Sequence, residues 1–219
     1  MIRAIIFDCF GVLYQGSLQY LLEVCPAHDR QQLRDYSRQF DYGVINYDQF
    51  MQLVAELTIK SPDDIRRIME TAHIRNQDLI DYSQQLRQQG YQVGLLSNIG
   101  RGMMDGLFSS SELNDLFDAV VLSGEVGLVK PDPLIYEYAA EKLNTTIDGC
   151  LMIDDSSDNI LGARQAQIDA NLFVQIKRNK NDKNHHTKVL RLGRSCRCFT
   201  ACAFTSYCIS CNINGEYDN

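Results

Sequence analysis

Four separate stretches of the sequence carry side chains suited to phosphate or metal chemistry. These side chains are Asp8, the pair Ser97-Asn98, Lys130, and the pair Asp154-Asp155. Adjacent carboxylates repel each other unless a cation lies between them, and carboxylate oxygens are ligands that Mg²⁺ prefers. Lys130 adds a positive charge, and Ser97 a hydrogen-bond donor, for an anionic group such as phosphate. The residue types therefore predict an all-oxygen metal site beside an anion site.

The element expected to position Asp8 is the first strand. Residues 4–7 form a short apolar run of the kind found in strands buried on both faces, and Gly11 then marks a turn. In open α/β sheets, ligands bind just beyond the carboxyl ends of the strands, which is where Asp8 would lie. A carboxylate that caps a nearby helix would look the same, so Asp8 alone leaves both interpretations open. The three later stretches favour the chemical one.

The second half of the chain predicts the rest of the sheet. Strands are expected at residues 91–96, 119–122, 150–153 and 172–176, and helices at 101–108, 133–143 and 157–167. Alternating strands and helices with short connections are typical of a parallel sheet covered by helices on both faces. We therefore predict an α/β fold, a Rossmann-like doubly wound parallel sheet, formed by residues 1–15 and 90–176.

Residues 16–89 interrupt this alternation, because their patterns are helical throughout. Pro26 ends a first apolar stripe, Ser61-Pro62 begins a later helix, and Gly90 follows the last one. We predict that this segment is a helical cap, inserted after the first strand and lying above the carboxyl edge of the sheet. Caps of this kind exclude water and select substrates, so the substrate itself cannot be read from the motifs.

Charge is unevenly distributed along the 219 residues. Residues 1–176 carry 13 Lys and Arg against 25 Asp and Glu, whereas residues 177–219 carry 8 against 3. The acidic body disfavours nucleic-acid binding, because it would repel a phosphate backbone. No apolar run is long enough to span a bilayer, and the N-terminus lacks a signal-peptide pattern. We expect a cytoplasmic protein that binds neither nucleic acid nor membrane.

The basic tail, residues 177–219, also differs from the body in its cysteine content. Within it, the pair His185-His186 is followed by five of the eight cysteines: Cys196, Cys198, Cys202, Cys208 and Cys211. Their spacing matches no standard paired zinc-ligand pattern, and no helix or strand is evident around them. A segment of foreign composition, as from a frameshift or a misplaced gene end, explains the change at least as well as metal binding does.

Taken in order, the four polar stretches resemble the four motifs of the haloacid dehalogenase superfamily. The resemblance covers residues 3 to about 176. The position of the cap and the Asp154-Asp155 pair are similar to the subfamily with a helical cap after the first motif. That subfamily includes small sugar-phosphate phosphatases and the phosphatase domain of soluble epoxide hydrolase. The resemblance implies a Mg²⁺-dependent phosphatase that acts on a small phosphorylated metabolite, as a monomer or a homodimer.

The resemblance also implies a role for each site residue. Asp8 corresponds to the nucleophile that forms an aspartyl-phosphate, and Lys130 to the lysine that balances charge between nucleophile and phosphate. Ser97, with the backbone at Asn98, corresponds to the pair that holds the phosphate. The implied Mg²⁺ ligands are Asp8, Asp155, the carbonyl oxygen of Phe10 and, indirectly or through water, Asp154.

Phe10 is where the sequence departs from the family pattern. Most phosphatases of the family read Asp-x-Asp in the first motif, and the second Asp is the general acid and base. The side chain of Phe10 cannot protonate a leaving alkoxide, and such catalysis is typically worth about 10²–10⁴-fold. Two alternatives therefore stay open: a catalytically impaired phosphate-binding or interaction protein, and a 2-haloacid dehalogenase. Dehalogenases carry an aromatic residue here but lack the paired acids, so Asp154-Asp155 favours phosphate chemistry.

Several further residues receive less specific predictions. Asp158 and Asn159 are expected either to orient their loop and the following helix or simply to cap its first turn. His73 is expected to lie at the surface or at a helix end of the cap. Cys9 is expected to be a buried, unreactive thiol. Arg101 has two equally supported interpretations, contact with substrate and a position on a helix surface.

Overall fold

A six-stranded sheet lies at the centre of the protein. The computed structural model describes residues 1–174 and 188–190. Its strands are β1 (Ala4–Phe7), β2 (Gln92–Ser97), β3 (Ala119–Leu122), β4 (Cys150–Asp154), β5 (Asp169–Val174) and β6 (Lys188–Leu190). Five strands are parallel in the order β3-β2-β1-β4-β5, and β6 pairs with β5 in the antiparallel direction. The predicted doubly wound parallel sheet is confirmed.

Strand β1 occupies the middle of the sheet, and all four of its residues are buried. In the register of the sheet, Phe7 lies opposite Leu95 of β2 and Ile153 of β4. Asp8 and Asp154 are the next residues along their strands. Strand register alone therefore brings these two carboxylates to the same edge of the sheet.

Four helices between β1 and β2 share a hydrophobic cluster of their own. Asn46 and Ser61 cap the third and fourth of them, and the fourth has proline in its first turn. Their buried side chains, among them Leu33, Met51 and Ile65, pack on one another. This inserted helical region consists of α1 (Leu18–Val24), α2 (Arg30–Asp41), α3 (Tyr47–Thr58) and α4 (Pro62–Ala72).

The remaining helices cover the two faces of the sheet. Side chains alternate across β1, so Phe7 packs on one face and Ile6 on the other. The Phe7 face contacts α5 (Gln77–Gln88) and α6 (Ser110–Leu116), and the Ile6 face contacts α8 (Pro133–Lys142) and α9 (Ser157–Gln165). Two short elements, α7 (Ser123–Val126) and a 3₁₀ turn at Ile147–Gly149, complete these connections.

Helix α5 falls inside the predicted cap segment 16–89 but packs against the sheet. Its buried residues Leu79, Ile80 and Leu86 belong to the same cluster as Phe7. The cap cluster, in contrast, is built from side chains of α1 to α4 and their connections. The division of the chain at residues 16 and 89 stays a prediction, and this packing favours assigning α5 to the core.

The helix predicted at residues 101–108 was wrong. The segment contains only a 3₁₀ turn at Met104–Gly106, and the regular helix α6 begins later. Gly102 adopts a φ of 81°, which is incompatible with a continuous α-helix. Ser109 and Glu112 then form a capping box that starts α6.

The carboxyl-terminal part of the chain is described only in part. The last strand, expected at residues 172–176, spans Asp169–Val174, and β6 adds a strand within the tail where none was expected. The five tail cysteines lie outside the described residues. Among the described helices, none combines the length and the apolar character needed to cross a membrane.

Candidate active site

Asp8 begins the loop after β1 and is only 6% exposed. Its Oδ1 atom accepts a hydrogen bond from the Cys9 backbone N–H at 2.7 Å and lies 2.7 Å from Lys130 Nζ. Its Oδ2 atom accepts no hydrogen bond from the described residues and is available to a ligand. Burial, and next the carboxylate of Asp154, raise the pKa of Asp8 well above its ordinary value, while Lys130 acts in the opposite direction.

Lys130 lies between two carboxylates. Its Nζ atom is 2.7 Å from Asp8 Oδ1 and 2.7 Å from Asp154 Oδ2, and the residue is 3% exposed. Burial by itself lowers the pKa of the ammonium group, but Asp154 and Asp8 together raise it above its ordinary value. The lysine therefore stays charged and joins the ends of β1 and β4.

Asn98 fixes the backbone of the loop that carries this lysine. Its Nδ2 donates to the Lys130 carbonyl oxygen and its Oδ1 accepts from the Lys130 N–H, both at 2.9 Å. On the other side of the loop, Gly162 of α9 lies so close to Pro131 that a Cβ atom at this glycine would collide with the Pro131 carbonyl. Sequence reasoning missed this use of the Asn98 side chain, because nothing in either motif predicts the pairing.

The carboxylate of Asp154 has hydrogen bonds to both of its oxygens. Oδ1 accepts from the Ser156 N–H at 2.9 Å and from Asn159 Nδ2 at 3.0 Å, and Oδ2 accepts from Lys130 Nζ. The Asn159 carbonyl in turn accepts from the hydroxyl of Tyr136 at 2.7 Å. Asn159 thus orients Asp154 and ties it to α8.

Asp155 has a different environment from its neighbour. It is exposed, and its carboxylate accepts no hydrogen bond from another described residue. It lies against Gly11, where a Cβ atom would collide with it and where φ is 88°, so the turn requires glycine for two reasons. Desolvation by the surrounding protein, and next the charge of Asp154, raise the pKa of Asp155 to about 6, with Lys130 acting in the opposite direction.

The three carboxylates form a cluster that suits a metal ion. Asp8, Asp154 and Asp155 each offer an oxygen within 4.8 Å of the others. Three carboxylates and the Lys130 ammonium leave two formal negative charges, which a divalent cation would balance. Because the oxygens of Asp154 already accept hydrogen bonds, Asp8 and Asp155 are better placed to bind an ion directly.

Ser97 ends β2 at the same edge of the sheet and is fully buried. Its hydroxyl has no hydrogen-bond partner within residues 1–174 and 188–190. A buried polar group without a partner costs about 1–3 kcal/mol. A phosphate oxygen bound at this edge would satisfy the hydroxyl, so the residue fits its predicted place beside an anion.

Phe10 directs its ring toward the end of the cap. The ring packs against His73 with centroids 5.2 Å apart, and His73 is the residue that ends α4. The His73 Nε2 atom is buried without a partner in the described part of the chain, and burial lowers the pKa of its imidazole. His73 does lie at a helix end, as predicted, but its contact with the first motif was not foreseen.

The other predicted residues occupy supporting positions. Cys9 is fully buried, and burial raises the pKa of its thiol, so it is unreactive in this state. Arg101 lies in a turn rather than on a helix, and its Nε donates to the Gly124 carbonyl at 2.6 Å. Asp158 lies exposed in the first turn of α9.

The sequence over residues 2–167 matches the family model of haloacid dehalogenase-like hydrolases. The chain belongs to this family. As a haloacid dehalogenase-like hydrolase, it is an enzyme of the hydrolase class whose helical cap is inserted between β1 and β2. The resemblance inferred from the four motifs is confirmed.

Two curated relatives of this haloacid dehalogenase-like hydrolase are named for their activities. It is 34% identical to a phosphatase of Mycobacterium tuberculosis over 119 residues, which cover 53% of this chain and 55% of that protein. It is 32% identical to the pyrophosphatase PpaX of Bacillus thuringiensis over 83 residues, which cover 38% of each. The matched part is thus about half, or less, of the length of these relatives.

Solved structures share the fold of this haloacid dehalogenase-like hydrolase. A family enzyme from Bacteroides thetaiotaomicron, in complex with magnesium and inorganic phosphate, superposes with a TM-score of 0.64 at 22% identity and covers 78% of this chain and 94% of its own. An L-2-haloacid dehalogenase from Xanthobacter autotrophicus gives a TM-score of 0.60 at 19% identity, with 81% and 79% covered. At these identities the likeness concerns the fold alone.

Proposed function

We propose that the chain is a Mg²⁺-dependent phosphatase that hydrolyses a small phosphate monoester through an aspartyl-phosphate at Asp8. The observation that carries the proposal is the buried Asp8 carboxylate held 2.7 Å from Lys130 Nζ, with Asp154 and Asp155 beside it. The phosphatase and pyrophosphatase activities of the curated relatives support the same chemistry. A cytoplasmic location and a monomeric or homodimeric state stay predictions.

Mg²⁺ fits the donor set at this site. The residues that would hold it are Asp8, Asp155 and the Phe10 carbonyl. Asp154 would act indirectly or through water. When bound, the ion offsets negative charge on the phosphoryl oxygens and on the carboxylates around it. A nearby cation also favours the ionised form of Asp8, which a nucleophile requires.

The protein's own groups account for the displacement at phosphorus. A carboxylate oxygen of Asp8 forms a bond to phosphorus while the bond from phosphorus to the leaving alcohol breaks. Lys130 remains beside Oδ1 and offsets the charge of the site, and the unpartnered Ser97 hydroxyl donates to a phosphoryl oxygen. Water then hydrolyses the acyl phosphate, which releases phosphate and restores Asp8.

The test is phosphate release from a panel of sugar phosphates, nucleotides and p-nitrophenyl phosphate in the presence of Mg²⁺. Release that disappears in Asp8→Asn and on chelation of the metal supports the proposal. Asp158→Asn, which changes an exposed acid of α9, is the matched control and should retain activity. Release no greater than that of Asp8→Asn on every substrate overturns the proposal.

The two alternatives from the sequence give other results. A stable phosphoryl group on Asp8 that never hydrolyses would identify an impaired phosphate-binding protein. Metal-independent halide release from a 2-haloacid would identify a dehalogenase. Phe10 keeps both alternatives open, whereas the acidic cluster of Asp8, Asp154 and Asp155 favours phosphate ester hydrolysis.

A further inference from the structure

The carboxyl-terminal turn of α2 is fixed onto the core beside the site. The carbonyl of Asp41, the last residue of α2, accepts a hydrogen bond from Ser123 Oγ at 2.5 Å. The same Oγ accepts from the Ile99 N–H at 2.9 Å, in the loop that follows β2. The ring of Phe40 covers Gly100 so closely that a Cβ atom there would collide with it. The end of α2, at Phe40 and Asp41, therefore contacts the loop that follows β2.

The side chain of Asp41 lies within electrostatic range of the lysine of the site. Burial raises the pKa of Asp41 to about 7, and the Lys130 ammonium is close enough to oppose that rise. Its carboxyl forms no hydrogen bond or ion pair with another residue in the described part of the chain. Among charged groups on the elements beneath it, Arg101 directs its Nε to the Gly124 carbonyl, and Glu125 is exposed.

The first motif lacks a general acid and base, and the Asp41 carboxyl could supply one. Phe10 supplies no proton for a leaving alkoxide and no base for the attacking water. Lys130 is charged and held between Asp8 and Asp154, so it cannot fill both roles. We propose that Asp41 is the general acid and base of the reaction, supplied by the cap in place of a carboxyl at position 10. This inference rests on the proposed function.

Proton and bond changes balance over the two half-reactions. In the first, Asp8 bonds to phosphorus, the bond to the leaving oxygen breaks, and the proton of Asp41 passes to that oxygen. In the second, water bonds to phosphorus, its proton passes to the Asp41 carboxylate, and the bond between Asp8 and phosphorus breaks. Asp41 returns to its protonated form, and no other reactant is required.

The experiment compares leaving groups in Asp41→Asn, a substitution of nearly unchanged shape. Turnover of an alkyl phosphate such as glycerol phosphate should fall by about 10²-fold or more, because the alkoxide needs a proton. The first turnover of p-nitrophenyl phosphate should change by less than about 3-fold, because its leaving group does not. Slow hydrolysis should then produce a burst of p-nitrophenolate and accumulation of phosphorylated Asp8.

Two further variants separate chemistry from structure. Asp35→Asn, on the same helix and in an exposed ion pair with Arg38, should leave both substrates unaffected. Asp41→Glu keeps the carboxyl and should recover part of the alkyl phosphate activity. An equal loss on both substrates, or no loss on either, overturns the role of Asp41 while the wild-type activity still supports the phosphatase. Absence of wild-type phosphate release would instead overturn the proposed function, and the role of Asp41 with it.

Discussion

The phosphate end and the leaving-group end of the candidate site are built differently. At the phosphate end, Asp8, Lys130 and Asp154 come from the core, are nearly fully buried and are joined by contacts of 2.7 Å. At the leaving-group end, position 10 of the core carries the ring of Phe10 instead of an acid, and the proposed acid, Asp41, comes from the cap. Bond formation at phosphorus and transfer of the proton are thus assigned to different parts of the chain.

This difference has a physical origin in how charges are buried. Removal of one member of a buried ion pair leaves an uncompensated charge, so single changes at the phosphate end should be destabilising. The proposed proton donor, Asp41, is within electrostatic range of Lys130, but its carboxyl makes no hydrogen bond within the described residues. Replacing such a donor breaks none of the ion pairs that join Asp8, Lys130 and Asp154.

The largest effect is expected at the nucleophile. Asp8→Asn should lower phosphatase activity by about 10⁴-fold or more, because the amide cannot form the acyl phosphate. Steady-state assays with Mg²⁺ and p-nitrophenyl phosphate measure this loss. A modest loss would mean that another group attacks phosphorus, and that the phosphate end is not centred on Asp8.

Removal of the lysine should affect stability as well as activity. Lys130→Met leaves Asp8 and Asp154 buried without their counter-charge, so the free energy of unfolding should fall by about 3–5 kcal/mol. Urea denaturation measures this change. Lys142→Met, at the exposed end of α8, is the matched control and should cost less than about 1 kcal/mol. Similar costs for the two variants would contradict the description of the phosphate end.

The leaving-group end should respond to an acid placed at position 10. Phe10→Asp should raise alkyl phosphate hydrolysis by up to about 10²-fold if its carboxyl reaches the bridging oxygen. The gain should be larger in an Asp41→Asn background, because the two acids would otherwise serve the same step. Phe10→Leu, which adds no acid, is the control. A gain from Phe10→Asp as large in the native background as in Asp41→Asn would count against Asp41 as the native acid.

The smallest effect concerns metal binding measured without turnover. Mg²⁺ at ten times its Kd should stabilise the fold by about 1.4 kcal/mol, and Asp155→Asn should remove most of this gain. The stabilisation should weaken as the pH falls through about 6, because protons compete with the metal for Asp155, whose pKa is raised to that value. Thermal melts with and without Mg²⁺ measure it. A gain that persists in Asp155→Asn at unchanged Kd would place the metal elsewhere.

The sheet and the motif positions were predictable because local patterns determine them. Apolar runs end at Phe7 and Ile153, and parallel register then places Asp8 beside Asp154. The helix at 101–108 was mispredicted because the positive φ of Gly102 does not show in an apolar pattern. Apolar patterns predict local secondary structure, but they do not predict the φ angle of a single residue.

The contacts that escaped prediction all join distant parts of the chain. Asn98 pairs with the backbone of Lys130, and Phe10 packs against His73. Asp41 approaches Lys130 only because α2 docks on the loop after β2. No spacing rule links such residues, since their distance depends on how helices pack on the sheet.

Gly162 lies outside the site, but its contact with Pro131 limits which residue can occupy this position. In most helices, replacing an interior glycine by alanine stabilises the fold by about 0.5–1 kcal/mol. Here a single methyl group would meet the Pro131 carbonyl and push on the residue next to Lys130. The clash with the Pro131 backbone outweighs the helix gain, so alanine at this position would displace the lysine loop, although Gly162 touches no reactant.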